Sequence, residues 1–168
     1  MFVPAPPPSS EIINFDLEFS SEYWDQPPTV DICIDGIHKG CWTVDSKNFQ
    51  VHFQHQLDFG VDHTLEIQRG GKTPNQTREI APGEYQTQTL TINQVHVDRT
   101  NMQNIVWHSC TFTPEYPEPW ATQMRDSGVD LEEHLRGEMT LGHNGLWKFT
   151  FGSPVYKFLV DFVRGERE

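Results

Sequence analysis

Residues 49–57 read FQVHFQHQL, and their alternation decides the fold class. Phe49, Val51, Phe53, His55 and Leu57 share one parity, and Gln50, His52, Gln54 and Gln56 hold the other. Successive side chains of a strand point to opposite faces, so this segment reads as a half-buried strand. The same period recurs on its N-terminal side. Ile13, Phe15, Leu17 and Phe19 alternate with Asn14, Asp16 and Glu18, and Val30, Ile32 and Ile34 alternate with Asp31, Cys33 and Asp35. Gly36 then allows a turn into a return strand over residues 41–44.

On the C-terminal side, Leu65 and Ile67 mark a strand ended by Arg69-Gly70-Gly71. Residues 70–86 are rich in Gly, Pro, Thr, Asn and Gln and read as a long loop, either functional or mobile. Leu90 and Ile92 share one parity, Val95 and Val97 the other, so the phase slips at Asn93-Gln94, where a β-bulge absorbs the extra residue. Residues 105–112 are expected to form the next strand.

Helical signals follow. Pro119 suits a first helical position, Trp120 and Met124 are i,i+4 neighbours, and Gly128 ends the turn. Asp130 and Glu133 form a capping-box pattern around Leu131 and Leu135, closed by Gly137. Asn144-Gly145 is a type I′ hairpin signal between residues 139–143 and 146–151. Ser153-Pro154 opens a closing helix whose Val155, Phe158, Leu159, Phe162 and Val163 form one apolar face. About eight short, mostly antiparallel strands with short helices in the C-terminal third predict a mainly β protein. The expected architecture is an antiparallel β-sandwich, a jelly roll, over residues 11–168, preceded by a proline-rich N-terminal arm, residues 1–10.

A chain of 168 residues can bury a sizeable core, and aromatics at 12% offset a modest hydrophobic share of 36%. The formal net charge of -12 repels phosphate backbones, so nucleic acid is not an expected partner. No apolar run approaches 18 residues, which argues against membrane insertion. The start, MFVPAPPPSS, lacks the basic and apolar segments of a signal peptide. Three cysteines, Cys33, Cys41 and Cys110, do not read as a disulfide framework and are expected to be reduced.

Motifs for chemistry are few. There is no G-x-S-x-G and no H-E-x-x-H, and Gly70-Gly71-Lys72-Thr73 lacks the glycine spacing of a phosphate loop. The chain is therefore expected to be non-enzymatic, with no catalytic residues, although paired carboxylates for glycoside hydrolysis are not legible from sequence. His38, Cys41, His108 and Cys110 are zinc-capable types at spacings that match no finger. Asp16, Glu18, Asp31 and Asp35 lie on polar strand faces. They are either solvated acids or calcium ligands. Trp42, Trp107 and Trp147 sit in strand-like runs and are assigned to the core. Tyr23, Trp24, Tyr85, Tyr116 and Trp120 fall in or beside loops, where flat rings stack on sugars or partner proteins. For Tyr116 and Trp120 the alternative is that they clamp their own proline-rich turn. The arm carries Phe2, Val3, Pro4, Pro6, Pro7 and Pro8, a stiff spacer with an apolar tip, and is either a plain tail or an assembly arm that grips a neighbour.

Two resemblances add to this reading. LEIQR at 65–69 with LTINQVHVD at 90–98 resembles the paired strands of calcium-dependent, xylan-binding jelly-roll modules, whose calcium-ligand loops find no residue-by-residue match here. PEYPEPW at 114–120 with LGHNGLWKFTFGSPVY at 141–156 resembles small proteins encoded by tailed phages, especially those of marine cyanobacteria. The second resemblance implies a virion structural or assembly protein, an accessory, tail or capsid component. It would be made in the host cytoplasm and carried in the particle, with other virion proteins or its own copies as partners. The first implies the alternative, a soluble glycan-binding module with calcium as its cofactor in the calcium-dependent case.

Overall fold

The computed structural model describes residues 8–73 and 76–165. Among them the elements run β1 Ser10–Glu22, β2 Thr29–Ile34, β3 Ile37–Thr43, β4 Phe49–Asp58, β5 Asp62–Gly70, β6 Thr77–Ala81, β7 Glu84–Thr87, β8 Thr89–Val97, β9 Thr100–Asn101, α1 Gln103–Ser109, β10 Thr111–Pro114, α2 Trp120–Asp126, β11 Leu135–Arg136, β12 Thr140–Leu141, β13 Gly145–Gly152 and α3 Val155–Val163. One sheet has the order β12-β8-β1-β4, with β9 beside β8, and the other β11-β10-β13-β5-β2-β3; β6 and β7 form a separate hairpin. All pairings are antiparallel. The expected β-sandwich is the fold.

The alternating residues place the core where the period put it. Ile13, Phe15, Leu17 and Phe19 of β1, Val51, Phe53 and Leu57 of β4, and Leu90, Ile92, Val95 and Val97 of β8 are all buried. They face Val30, Ile32, Ile34, Leu65, Ile67, Trp147, Phe149 and Phe151 of the second sheet in one cluster. Phe15 shows the contact between layers. It stacks on Phe53 of its own sheet at 5.1 Å and meets Phe151 of the other at 5.9 Å. The bulge falls at Asn93, because Glu18 pairs with Gln94 while Phe19 pairs with Ile92. That skip is what keeps Ile92 and Val95 both inside.

Five expectations are corrected. Residues 103–109 form helix α1 rather than a strand, and the amide of Gln103 is received by Asn101 Oδ1 at 2.9 Å. On α1 only Val106 is buried, while Trp107 stands 53% exposed rather than in the core. A short apolar run is ambiguous between strand and helix, and here the polar turn before it decided. The predicted helix at 130–137 is also absent. That backbone lies along β10, pairing Leu135 with Phe112 and Arg136 with Thr111, and Tyr116 OH donates to Glu132 O at 2.7 Å. The Asn144-Gly145 signal makes no hairpin, since β12 pairs with β8 and β13 with β10 and β5. Residues 142–144 instead carry the chain from one sheet to the other. Gly145 is needed for closeness, because a Cβ there would collide with Thr113 O and Pro114 Cα. Finally, residues 70–86 are not one loop but contain the β6–β7 hairpin.

The closing helix begins as expected, with Val155 and Phe158 buried and Leu159 against the core, but Val163 points away at 82% exposure. Pro8 is exposed. The rest of the assembly arm, Phe2, Val3, Pro4, Pro6 and Pro7, lies outside the described residues.

Register places several loops at one end of the sandwich. Gly145 pairs with both Pro114 and Arg69, and Gly70 pairs with Thr29. The loop after β10, the crossing before β13, the segment after β5 and the loop before β2 therefore emerge side by side.

Candidate functional site

A cleft of about 300 Å³ opens where these loops meet. The proline-rich turn brings Glu115, Pro117, Glu118, Pro119 and Trp120 to it; the segment after β5 brings Lys72 and Thr73; β6 brings Thr77; and the crossing before β13 brings His143 and Asn144. Trp120, Tyr116 and His143 form a ring cluster, with Trp120–His143 centroids at 5.3 Å, Tyr116–His143 at 5.2 Å and Tyr116–Trp120 at 6.1 Å. Trp120 is half-buried, and it lines the cleft as well as packing on its own turn.

Behind the lining lies Arg69, fully buried on β5. Its parity matches Leu65 and Ile67, so the strand aims it inward. Its Nη1 donates to Gln88 Oε1 at 2.7 Å, Asn144 Oδ1 at 3.0 Å and Gly70 O at 3.3 Å, and Nη2 donates to Gln88 O at 2.9 Å. Nε has no partner. Asn144 is the hinge of the network: Oδ1 also accepts from Lys72 N at 3.0 Å, and Nδ2 donates to Lys72 O at 2.9 Å. Gln88 Nε2 donates to Gln26 O at 2.6 Å and Gly71 O at 3.0 Å, tying in the loop before β2. Gln76, itself buried, accepts from Gln26 N at 3.1 Å and donates to Asp25 Oδ2 at 3.2 Å. Side-chain amides thus hold the loops in fixed relation, which pre-forms the cleft.

The basic groups of this network crowd one another. Burial lowers Arg69 to about 10, which leaves it charged at neutral pH. Burial, then the Arg69 charge, lowers Lys72 to about 8. Burial, followed by Lys72 and Arg69, lowers His143 to about 4, so its imidazole is neutral. Lys72 Nζ donates to Gly142 O at 2.5 Å, which leaves two of its three N–H groups for other acceptors. Among the described residues neither Arg69 nor Lys72 has an ion-pair partner. The glutamates of the cleft are engaged elsewhere. Glu118 accepts from Thr122 Oγ1 at 2.6 Å and lies 3.9 Å from Arg125, and Glu115 accepts from Gln68 Nε2 at 3.5 Å.

The sequence-predicted contact residues divide between two clefts. Trp120 lines the one above, while Tyr116 stands behind it, packed on Trp120 and His143 and facing Arg125 and His134 on its other side. Tyr23 and Tyr85 line a wider cleft of about 550 Å³ with Glu22, Asp45 and Lys47, and Tyr23 OH donates to Asp45 O at 3.3 Å. The hairpin borders both clefts, through Thr77 in one and residues 85–87 in the other. Trp24 lines neither cleft, and the Arg78 guanidinium sits 4.2 Å from its ring centroid.

The proposed cation ligands do not gather. Asp16 bonds His52 at 2.7 Å and Glu18 bonds Gln50 at 2.9 Å, both across β1 and β4. Asp31 bonds His38 at 2.9 Å, and Asp35 bonds His63 at 2.5 Å, on the other sheet. Calcium needs six to eight oxygens from converging loops, and these four acids are spent on separate histidine and amide partners, Asp35 also accepting from Thr64 N at 2.8 Å. This donor set does not fit calcium. No group of three or more His, Cys, Asp or Glu suited to a metal occurs among the described residues, so the zinc-capable set does not assemble either. No helix among the described residues is long and apolar enough to cross a membrane.

No family model matches the sequence, and no curated protein matches it. Two solved structures are similar to it. A selenomethionine form of vCBM60, from work linking two families of calcium-dependent carbohydrate-binding modules, aligns with a TM-score of 0.51 at 8% identity, over 82% of this chain and 89% of that one. A complex of vCBM60 with galactobiose gives 0.49 at 10% identity, over 81% of this chain and 96% of that one. The first likeness shows a shared β-sandwich fold. What the cleft binds has to be argued from its own residues.

Proposed function

We propose that this protein is a non-catalytic glycan-binding module whose ligand lies in the cleft between Trp120, Lys72, His143 and Asn144. The observation that carries the reading is a half-buried tryptophan in a pre-formed cleft of about 300 Å³ beside fixed hydrogen-bonding groups. A pyranose has one apolar face and an edge of hydroxyls, which suits a flat ring next to Lys72, Asn144, Thr73 and Thr77. The virion assembly role expected from the sequence resemblance draws no support from the fold likeness, and glycan binding replaces it as the leading reading. Calcium is not assigned to this chain, because its strand-face acids do not fit the ion.

The test is a glycan array followed by calorimetric titration of the best ligand, run with calcium and with chelator, on wild type and Trp120→Ala. Loss of the stacking face is expected to weaken binding about tenfold or more, with the circular dichroism spectrum retained. Undiminished affinity in the variant would remove the cleft from the account.

A further inference from the structure

The glycan reading uses the N–H groups of Lys72 but leaves one feature of the cleft unexplained, a pair of cations without an anion. The hydroxyls of a neutral sugar can be met by neutral donors, whereas buried positive charge costs desolvation energy and weakens neighbouring bases. Here Arg69 is fully buried against neutral acceptors, with Nε unpartnered, and Lys72 reaches the cleft surface with one N–H engaged. In a protein of net charge -12, with 24 acidic side chains available, no described carboxylate pairs with either. Surface cations in acidic proteins find carboxylates easily. Glu115 and Glu118 line the same cleft but are bonded to Gln68 and to Thr122 and Arg125, and the network of Gln88, Asn144 and Gly142 leaves both cations without an ion pair.

We propose that the cleft selects an anionic sugar, one carrying a uronate carboxylate or a sulfate ester, with the anion received by Lys72 Nζ. This inference rests on the glycan-binding reading of the same cleft. Arg69 does not touch the ligand, being sealed beneath Asn144 and Gln88; it fixes Asn144 and adds to the positive potential at Lys72. The neutral His143 ring and Trp120 frame the pyranose. An anion at Lys72 would supply the charge partner that the free protein lacks and raise the lysine back toward its ordinary range. Charge-assisted hydrogen bonds of this kind are about twice as strong as neutral ones. The expected preference for an acidic over a matched neutral sugar is therefore about tenfold or more.

The experiment titrates full-length protein with three probes: trigalacturonate, a sulfated galactan trisaccharide, and neutral galactotriose. Wild type, Lys72→Gln, Lys72→Arg and Trp120→Ala are compared, each checked for an unchanged melt. The account expects wild type to prefer at least one acidic probe about tenfold, with the preference shrinking as salt rises. Lys72→Gln should bind acidic and neutral probes alike, Lys72→Arg should keep the preference, and Trp120→Ala should weaken all probes together. The carboxylated and sulfated arms tell which anion is read. Equal affinity for all three probes, or a preference that survives Lys72→Gln, would overturn the anionic ligand while leaving glycan binding standing. Binding of no probe by wild type, together with a blank glycan array, would sink both.

Discussion

Strand β5 carries a buried basic residue at each end, and the two are treated in opposite ways. His63 near its start donates from Nδ1 to Asp35 Oδ2 at 2.5 Å and from Nε2 to Asp58 O at 2.9 Å. Burial pulls this imidazole down, but the Asp35 carboxylate and the Asp58 carbonyl outweigh it, and its pKa is raised on balance. Arg69 near the other end has only amides and carbonyls around it. The same inward face thus ends in a satisfied ion pair on one side and an uncompensated charge on the other. The first is a structural closure. The second borders a cleft, and an uncompensated charge at a concave surface is a candidate binding feature.

The largest effect should come from removing Arg69. Arg69→Ala strands buried acceptors on Gln88 and Asn144 and is expected to cost about 3–5 kcal/mol in urea unfolding. His63→Ala should cost less, about 1–3 kcal/mol, because Asp35 is partly exposed and rehydrates. An equal or reversed order would break the contrast between the ends. The pH dependence sharpens it next. The raised His63 contributes stability that is present below its unfolded value near 6.5 and is lost as pH climbs through its folded value. His143, depressed to about 4, acts the other way: the unfolded chain binds its proton first, so stability falls as pH drops from about 6.5 toward 4. Melts from pH 4 to 9 should show Asp35→Asn flattening the alkaline slope and His143→Gln flattening the acid one. The smallest effect belongs to the exposed Asp31–His38 pair, where Asp31→Asn should change stability by less than about 0.5 kcal/mol.

Much of the sandwich was legible because alternation is imposed by burial itself. Residues 13–19 and 49–57 have no other way to hide their apolar side chains, and even the skip at Asn93 showed as a change of parity. The site was less legible, for three separate reasons. Arg69 ends a run in which Leu65 and Ile67 set an inward parity, so its burial was implied by its position, but a charge at a strand terminus reads as solvent-facing. Asn144-Gly145 carries a strong local turn signal, and register with β8 and β10 overrode it. Lys72 and His143 lie 71 residues apart in sequence, and only the pairing of β5 with β13 brings them to one cleft. Trp120 was found because a tryptophan in a proline-rich turn has no strand to belong to. Trp24 met the same criterion and is covered by Arg78, a contact across 54 residues that no local pattern announces.

The central claim is that the loop end of the sandwich, and not the His63 end, is where a glycan binds. The most direct measurement is a two-dimensional NMR titration of nitrogen-15-labelled protein with trigalacturonate. The account predicts shifts concentrated at the Trp120 indole, Lys72, Thr77, His143 and Asn144, with His63, Asp35 and Asp58 unmoved. Shifts centred on His63 or spread evenly over the surface, with the Trp120 indole unchanged at saturation, would contradict it.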